Sequence, residues 1–253
     1  MIEDNRENDQ ANFGNRRVAA ADKAPLVRQV FDSVAGKYDL MNDLMSFGVH
    51  RLWKNSFVDW LRPRPGHCIV DVAGGTGDVA ERILRQTAGR ASVVVCDINN
   101  HMVEAGRDRA LDRGIVDGIR WTVGDAEQLP FADGTVDAYV IAFGIRNVTR
   151  VDRALAEARR VLCPGGRFLV LEFSRMALTG LAPLYDLYSL KILPEIGARV
   201  TGDGDAYRYL VESIRRFPDQ ERFATMITDA GLGQVRFRNL SGGIAAMHSA
   251  WRL

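Results

Sequence analysis

Residues 69–84 have the sequence IVDVAGGTGDVAERIL. The first residues are apolar apart from Asp71, which predicts a buried strand. The glycine-rich turn that follows contains the spacing G-x-G-x-x-A from Gly75 to Ala80, and the pattern after it predicts a helix. A strand, a glycine turn and a helix in this order predict one βα unit of a parallel sheet, with a ligand bound at the turn. The alternative is a glycine-rich turn that holds no ligand.

The composition is typical of a soluble globular protein. The chain has 253 residues, of which 47% are hydrophobic and 26% are charged, and this length is sufficient for one α/β domain with a large core. The formal net charge is +1, so we expect no binding to nucleic acid. We find no secretory signal and no apolar run near the ~20 residues that a membrane-spanning helix needs.

Strand and helix patterns alternate along the middle of the chain. Five such steps predict a doubly wound, mostly parallel sheet with right-handed crossovers. Two further strands are joined by the short turn Ser241-Gly242-Gly243 and predict a C-terminal antiparallel hairpin, which completes a seven-stranded sheet of α/β class. The predicted strands are HCIVDVA, SVVVCDI, IRWTVGDA, VDAYVIAFG, RFLVLEFS, QVRFRNL and IAAMHSAWR.

The domain boundaries follow from this alternation. We predict that residues 1–20 form a mobile N-terminal tail, with Phe13 as its one contact with the body. The remaining residues form a single domain. It is divided into a helical lid over 24–62, a ligand-binding core over 66–174, and substrate-side helices with the closing hairpin over 175–253.

The residues around the glycine turn discriminate between two ligands. A nicotinamide dinucleotide and S-adenosylmethionine (SAM) both carry an adenosine ribose, whose hydroxyls Asp97 at the end of the second strand can bind. Three features favour SAM. Asp71 and Asp78 flank the turn, where carboxylates would repel a pyrophosphate but attract the ammonium and sulfonium of SAM. Asp125, after the third strand, can accept a hydrogen bond from the adenine amino group, and the terminal hairpin belongs to the class I methyltransferase architecture.

Several stretches of the chain resemble the ubiquinone/menaquinone biosynthesis C-methyltransferase family. They are FDSVAGKYDLMNDLMSFGVHRLWK (31–54), DVAGGTGD (71–78), FGIRNVT (143–149) and RRVLCPGGRFLVLEFS (159–174). The second stretch alone indicates only a SAM-dependent enzyme, whereas the first and fourth are much more specific. The resemblance implies a class I, Rossmann-like methyltransferase. It would move a methyl group from SAM to a ring carbon of a polyprenylated quinol, either 2-methoxy-6-polyprenyl-1,4-benzoquinol or demethylmenaquinol.

The cofactor site is predicted from the turn and from this resemblance together. The glycines allow the backbone to approach SAM closely, and the SAM contacts of the family fall on Thr76, Asp97, Asp125 and Ala126. One position departs from the family, because Ala142 stands where a serine is often found and a hydroxyl contact is lost. The predicted cofactor-binding residues are Gly74, Gly75, Thr76, Gly77, Asp97, Asp125, Ala126 and Ala142.

Methylation of a quinol carbon requires alignment, a dry pocket, stabilisation of a phenolate and removal of the ring proton. Arg146 and Asn147 follow the fourth strand and are expected to face the methyl donor. Because arginine stays protonated, Arg146 is assigned to stabilise the phenolate or to orient a water, with a structural salt bridge as the alternative. Glu172, at the end of the fifth strand, is a weaker candidate at the same rim.

The segment KYDLMNDLMSFGVHRLW sets polar groups among apolar ones, as a lid over a reacting quinol would need. Tyr38, Asp39 and His50 are therefore predicted to be catalytic, together with Arg146 and Asn147. The alternative is that these are capping and turn residues, with His50 hydrogen-bonded behind the site. No group of histidines, cysteines and carboxylates has metal-ligand spacing, so no metal is expected.

A polyprenyl quinol lies in the bilayer, so we expect a cytoplasmic enzyme that is peripherally associated with the inner membrane. With almost no net charge, contact would be transient and made by apolar residues of 40–49 and of a predicted helix over 184–193. This helix is alternatively part of the core or of a homodimer contact, and a complex of quinone-biosynthesis enzymes also stays open. The alternative functions are a SAM enzyme for another apolar small molecule, an NAD-dependent oxidoreductase and a catalytically silent scaffold subunit.

Overall fold

The computed structural model describes residues 10–34, 46, 48–176 and 204–253. The strands are β1 (Gln10–Phe13), β2 (Arg16–Ala19), β3 (Cys68–Val72), β4 (Ser92–Asp97), β5 (Ile119–Val123), β6 (Val136–Ala142), β7 (Leu162–Phe173), β8 (Gly233–Leu240) and β9 (Ala245–Trp251). The helices are α1 (Ala20–Val34), α2 (His50–Leu61), α3 (Asp78–Gln86), α4 (Asn100–Asp112), α5 (Val151–Val161), α6 (Gly204–Arg216) and α7 (Gln220–Asp229). Short 3₁₀ turns occupy Ile145–Asn147 and Ser241–Gly243.

The central sheet has seven strands in the order β5-β4-β3-β6-β7-β9-β8. Strands β3 to β7 pair in parallel, and β9 is antiparallel to both of its neighbours. The predicted mostly parallel seven-stranded sheet with a C-terminal antiparallel hairpin is confirmed. The chain order reverses on either side of β3, because β4 lies on one side of it and β6 on the other. This reversal creates a crevice beyond the carboxyl ends of these strands.

The core lies on both faces of the sheet, because successive side chains of a strand point to opposite sides. Ile69 of β3 packs in the cluster that includes residues of α2, α3 and α6, whereas Val70 packs in the cluster that includes residues of α5 and α7. Both are fully buried. Continuous apolar runs in the central strands are therefore explained by helices on both faces.

The prediction that the N-terminal residues form a mobile tail is wrong for residues 10–19. Strands β1 and β2 form an antiparallel hairpin, with Phe13 paired to Arg16. Phe13 is buried and stacks on Tyr209 of α6, with ring centroids 4.4 Å apart. Asn15 donates its backbone N–H to the Glu212 carboxylate at 2.8 Å. These contacts with a distant helix, rather than a local apolar pattern, order the hairpin; residues 1–9 lie outside the described part of the chain.

Two predicted contact segments cannot be compared with the structure. Residues 35–45 and 47 of the predicted lid, and the predicted helix over 184–193, lie outside the described residues. Among the helices that are described, none has the length and apolar character needed to cross a bilayer.

Candidate active site

An open cavity of about 1150 Å³, counting space at its mouth, lies beyond the carboxyl ends of β3, β4, β5 and β6. The glycine turn after β3 borders it on one side. Helix α1 covers it with Ala24, Val27, Arg28 and Phe31. The predicted cofactor residues that line the cavity are Gly74, Gly75, Thr76, Asp97, Asp125, Ala126 and Ala142.

Gly77 is the predicted cofactor residue that does not border this cavity. It precedes α3 with φ of 77°, in the left-handed region that favours glycine. A Cβ at this position would lie 2.5 Å from the ring of Trp121. Gly77 is therefore needed for the backbone conformation at the start of α3 and for the close packing of this turn on Trp121 of β5.

Asp97 holds the glycine turn through its carboxylate. One oxygen accepts the N–H of Gly75 at 2.9 Å, and the other accepts the N–H of Asn99 at 2.9 Å. Burial raises the pKa of Asp97, and these backbone N–H groups oppose the shift. Each carboxylate oxygen keeps a further lone pair, so Asp97 can accept hydrogen bonds from ribose hydroxyls while it fixes the turn.

Asp71 is the least satisfied charge at the cavity. It is buried, and neither of its oxygens accepts a hydrogen bond from any described residue. Burial raises the pKa of Asp71 to about 7, although the nearby Ala80 amide and Lys54 ammonium act in the opposite direction. A buried, unpaired carboxyl group at a cavity wall is costly unless a ligand pairs with it. A ligand with an ammonium group, as SAM has, fits this position.

Asp78, the second carboxylate beside the turn, is already neutralised by the protein. Its Oδ2 accepts a hydrogen bond from the ammonium of buried Lys54 at 2.7 Å, and Arg82 Nη2 lies 3.2 Å from its Oδ1. Burial alone would raise the pKa of Asp78, but these two cations hold it below its usual value. Of the two carboxylates expected to attract SAM, Asp71 is therefore the one left without a hydrogen-bond partner among the described residues and able to pair with a ligand.

Lys54 is a site residue that the sequence interpretation missed. It lines the cavity from α2 and is buried. The observation that could have identified it is its place on the buried face of the helix, beside Trp53 and one turn before Phe57 and Val58. A lysine on an apolar face needs a partner.

Helix α1 is fixed over the cavity by polar contacts. The Lys23 ammonium donates to the carbonyl of Val148 at 2.8 Å, and burial lowers the pKa of Lys23 to about 8, opposed by Glu127. Asn99 donates its side-chain amide to Asp32 at 2.7 Å. Val27 and Phe31 of this helix give the cavity an apolar wall.

Arg146 and Glu172 form a buried ion pair. Their side chains are 1% and 2% exposed, and Arg146 Nη1 lies 2.7 Å from Glu172 Oε1. The same Nη1 donates to the carbonyl of Phe143. Burial raises the pKa of Glu172, and the Arg146 guanidinium opposes this shift. Neither residue is among the described residues that line the cavity. This geometry supports the salt-bridge alternative for Arg146 and places Glu172 in the buried ion pair.

Asn147, the next residue, does border the cavity. It ends the 3₁₀ turn after β6, and its Oδ1 accepts the hydroxyl of Tyr209 at 3.0 Å. The 3₁₀ turn thus places Arg146 in the core and Asn147 at the cavity. Tyr209 was missed because it lies in α6, far along the chain.

The remaining predicted catalytic residues are not brought to the cavity by the described part of the chain. His50 begins α2, is buried, and donates its backbone N–H to Ser46 Oγ at 3.1 Å. It borders a separate polar pocket and not the open cavity beyond the carboxyl ends of β3, β4, β5 and β6. Tyr38 and Asp39 lie outside the described residues. Within the described ranges we find no cluster of three or more residues suited to hold a metal ion.

Comparison with known proteins identifies close relatives. Residues 17–252 match the model of the ubiE/COQ5 methyltransferase family. The ubiquinone/menaquinone biosynthesis C-methyltransferase UbiE of Paracoccus denitrificans is 58% identical over 244 residues, which cover 96% of this chain and 97% of that protein. The protein of the same name from Brucella abortus is 53% identical over 243 residues, covering 95% and 90%.

Solved structures share the fold at low sequence identity. A SAM-dependent methyltransferase from Aquifex aeolicus has a TM-score of 0.56 and 16% identity, and covers 77% of this chain and 88% of its own. The [4+2]-cyclase SpnF has a TM-score of 0.66 and 18% identity, covering 89% and 94%. Because a cyclase shares this architecture, the fold alone does not fix the reaction.

Proposed function

Because this chain belongs to the ubiE/COQ5 methyltransferase family, we propose that it transfers the methyl group of SAM to a ring carbon of a polyprenylated quinol in ubiquinone or menaquinone biosynthesis. The observation that carries this proposal is the cavity at the reversal of strand order, where Asp97 and the unpaired Asp71 border the same space. The family is one of methyltransferases, which removes the NAD-dependent oxidoreductase from the alternatives.

Different residues of the cavity would bind different parts of SAM. Asp97 would accept hydrogen bonds from the ribose hydroxyls, Asp125 would accept one from the adenine amino group, and Asp71 would pair with the ammonium, since all three line the cavity. Bound SAM supplies an electrophilic methyl group on a sulfonium. Asp125 Oδ1 is occupied by the N–H of Glu127 at 2.9 Å, which orients the carboxylate without using all of its acceptor capacity.

The quinol must be activated at the other end of the cavity. A quinol hydroxyl has a pKa of about 10 by analogy with tyrosine, so a phenolate at neutral pH needs stabilisation. Two polar side chains after β6 border this space, Asn147 and Thr149, and the amide N–H groups of Asn147 can donate to a phenolate oxygen. Val27 and Phe31 of α1 border the same space and give it an apolar wall for the quinol ring. An electron-rich ring carbon would then attack the methyl group in line with the departing sulfur, which keeps the electrons of the broken C–S bond. The ring proton would leave to water at the open mouth of the cavity, which restores the aromatic ring.

Methyl transfer is tested with purified protein, methyl-labelled SAM and short-chain analogues of the two quinols. We expect label in the organic extract with at least one of them, and a rate of labelling lowered by more than tenfold in Asp97→Ala at the same subsaturating concentration of SAM. A deletion strain should accumulate the corresponding demethyl quinone. Label that enters neither quinol, in a protein that binds SAM normally, would instead favour another apolar substrate.

We further propose that the protein meets its quinol at the cytoplasmic face of the inner membrane, through apolar side chains. The near-zero net charge supports this, because it leaves little electrostatic attraction. Leu52 of α2 is an exposed apolar residue of the predicted lid, just after the predicted contact segment 40–49. Burial of two or three such side chains contributes roughly 1.5–3 kcal/mol each, which is enough for reversible association.

Flotation with neutral liposomes at low and high salt tests this contact. We expect partial binding that salt barely weakens, and weaker binding of Leu52→Ser. Binding that salt abolishes would indicate electrostatic attachment, and absence of binding would indicate delivery of the quinol by a partner protein; either result contradicts the proposal.

A further inference from the structure

The side chain of Asn147 is held by one hydrogen bond from a residue of another element. Its Oδ1 accepts the hydroxyl of Tyr209 at 3.0 Å, and its backbone N–H donates to the carbonyl of Gly144 at 3.0 Å. An asparagine amide has one acceptor oxygen and two N–H donors. With the oxygen engaged by Tyr209, the two donors are left for the cavity that Asn147 borders.

Tyr209 is itself fixed by packing. Its ring is buried and stacks on Phe13 at 4.4 Å, with an angle of 24° between the ring planes. Burial raises the pKa of Tyr209 to about 12, so the hydroxyl keeps its proton and remains a donor throughout the neutral range. A buried, stacked ring has one position from which its hydroxyl can reach Asn147.

The N-terminal hairpin of β1 and β2 contacts α6 and so supports the position of Tyr209. The N–H of Asn15 donates to Glu212 at 2.8 Å, and Arg216 donates to the carbonyl of Asn15 at 3.2 Å. Both side chains belong to α6, the helix that carries Tyr209. Polar contacts therefore hold Phe13 of the hairpin against the ring of Tyr209.

We propose that Tyr209 is a positioning residue for methyl transfer: its hydroxyl orients the amide of Asn147 so that the N–H groups face the quinol oxygen, and the N-terminal hairpin holds Tyr209 in place. This inference rests on the proposed function, because the oriented donors stabilise the phenolate from which the ring carbon attacks. An amide released from Tyr209 can also turn its oxygen towards the phenolate, which repels the negative charge.

The test replaces Tyr209 by phenylalanine, which keeps the ring on Phe13 and removes only the hydroxyl. We expect Tyr209→Phe to lower kcat by roughly tenfold, a part of the 10²–10³ that loss of an oxyanion donor costs. The KM for SAM and the unfolding temperature should stay nearly constant. Tyr139→Phe is the matched control, because Tyr139 of β6 is a buried tyrosine whose hydroxyl bonds no described residue. Its kcat should equal that of the wild type.

A double variant separates positioning from a general structural effect. Asn147→Ala should lower kcat more than Tyr209→Phe does, and adding Tyr209→Phe to it should change kcat little, because no amide is left to orient. If Tyr209→Phe lowers kcat by the same factor in both backgrounds, or leaves it unchanged in the wild type, the inference is wrong.

A measurement without substrate keeps this test independent of the proposed function. The side-chain N–H₂ resonances of Asn147, assigned by their absence in Asn147→Ala, should shift in Tyr209→Phe and stay in place in Tyr139→Phe. Failure of the wild type to methylate either quinol would contradict the proposed function alone. Unshifted resonances in Tyr209→Phe would overturn the positioning role even in an active enzyme.

Discussion

The substitution Asp71→Asn should have opposite effects on stability and on cofactor binding. The pKa of Asp71 is about 7 in the folded protein against 3.8 for an ordinary aspartate. A raised folded pKa means that ionisation favours the unfolded chain, so the free protein loses stability as the pH rises from about 4 to about 7. Three pKa units at ~1.36 kcal/mol each correspond to about 4 kcal/mol above pH 7.

The asparagine removes this charge but adds an amide whose groups also need partners, which costs roughly 1–3 kcal/mol. We therefore expect Asp71→Asn to stabilise the free protein by about 1–3 kcal/mol at pH 8. For a chain of this size, each kcal/mol raises the unfolding temperature by about 2–4 °C. The gain should shrink as the pH falls towards 4. SAM affinity should drop by more than tenfold, because a hydrogen bond to a charged partner contributes roughly 1.5–3 kcal/mol.

Thermal unfolding between pH 5 and pH 8 and calorimetric titration with SAM measure the two effects. Wild-type affinity should fall by roughly tenfold from pH 7 to pH 5.5, since Asp71 must then lose a proton to pair with the ammonium, and the variant should lack this dependence. Asp78→Asn is the matched control: Asp78 is paired with Lys54 and its pKa is lowered, so the same change should destabilise the protein. A lower unfolding temperature for Asp71→Asn, or unchanged SAM affinity, would refute the reasoning.

Three further predictions concern other parts of the site. Asp97→Ala should weaken SAM binding by more than tenfold, measured by calorimetry, and unchanged affinity would contradict the ribose assignment. Arg146→Met should destabilise the protein by about 3–5 kcal/mol in thermal or denaturant unfolding, because it leaves Glu172 buried without its partner. Adding Glu172→Gln should restore much of the lost stability. A rate loss of 10²–10³ at unchanged stability would instead show a catalytic role for Arg146. Activity should survive EDTA, since a quinol phenolate is nucleophilic at carbon without a Lewis acid, and loss that one divalent metal restores would disprove this.

The features that the sequence predicted well are those encoded locally. Apolar runs separated by helical patterns define β3 to β7, and the turn at 241–243 defines the closing hairpin, because each pattern is complete within about ten residues. The glycine turn could be placed at the cavity for the same reason. Parallel strands bring Asp97 and Asp125 to one edge of the sheet, so their convergence follows from topology alone.

The features that the sequence could not give depend on contacts between distant segments. Residues 10–19 have little apolar pattern of their own, and they become strands because α6 binds them. Arg146 and Asn147 are adjacent polar residues after a strand, and only the 3₁₀ turn decides which of them borders the cavity. Lys54 and Tyr209 act at the site through partners that are 24 and 62 residues away.

The unpaired carboxyl at Asp71 and the oriented amide at Asn147 serve different steps of the reaction. The ammonium that Asp71 binds is present in SAM and equally in the demethylated product, so this contact contributes the same energy before and after transfer. It therefore raises affinity without raising kcat. Asp71→Asn should raise the KM for SAM and the inhibition constant of the demethylated product by the same factor, while kcat at saturation stays constant. The acceleration must come from groups that meet charge developing on the quinol. Asn147 and Thr149 are the polar residues after β6 that border the cavity in the described part of the chain, and we assign this role to the oriented amide of Asn147.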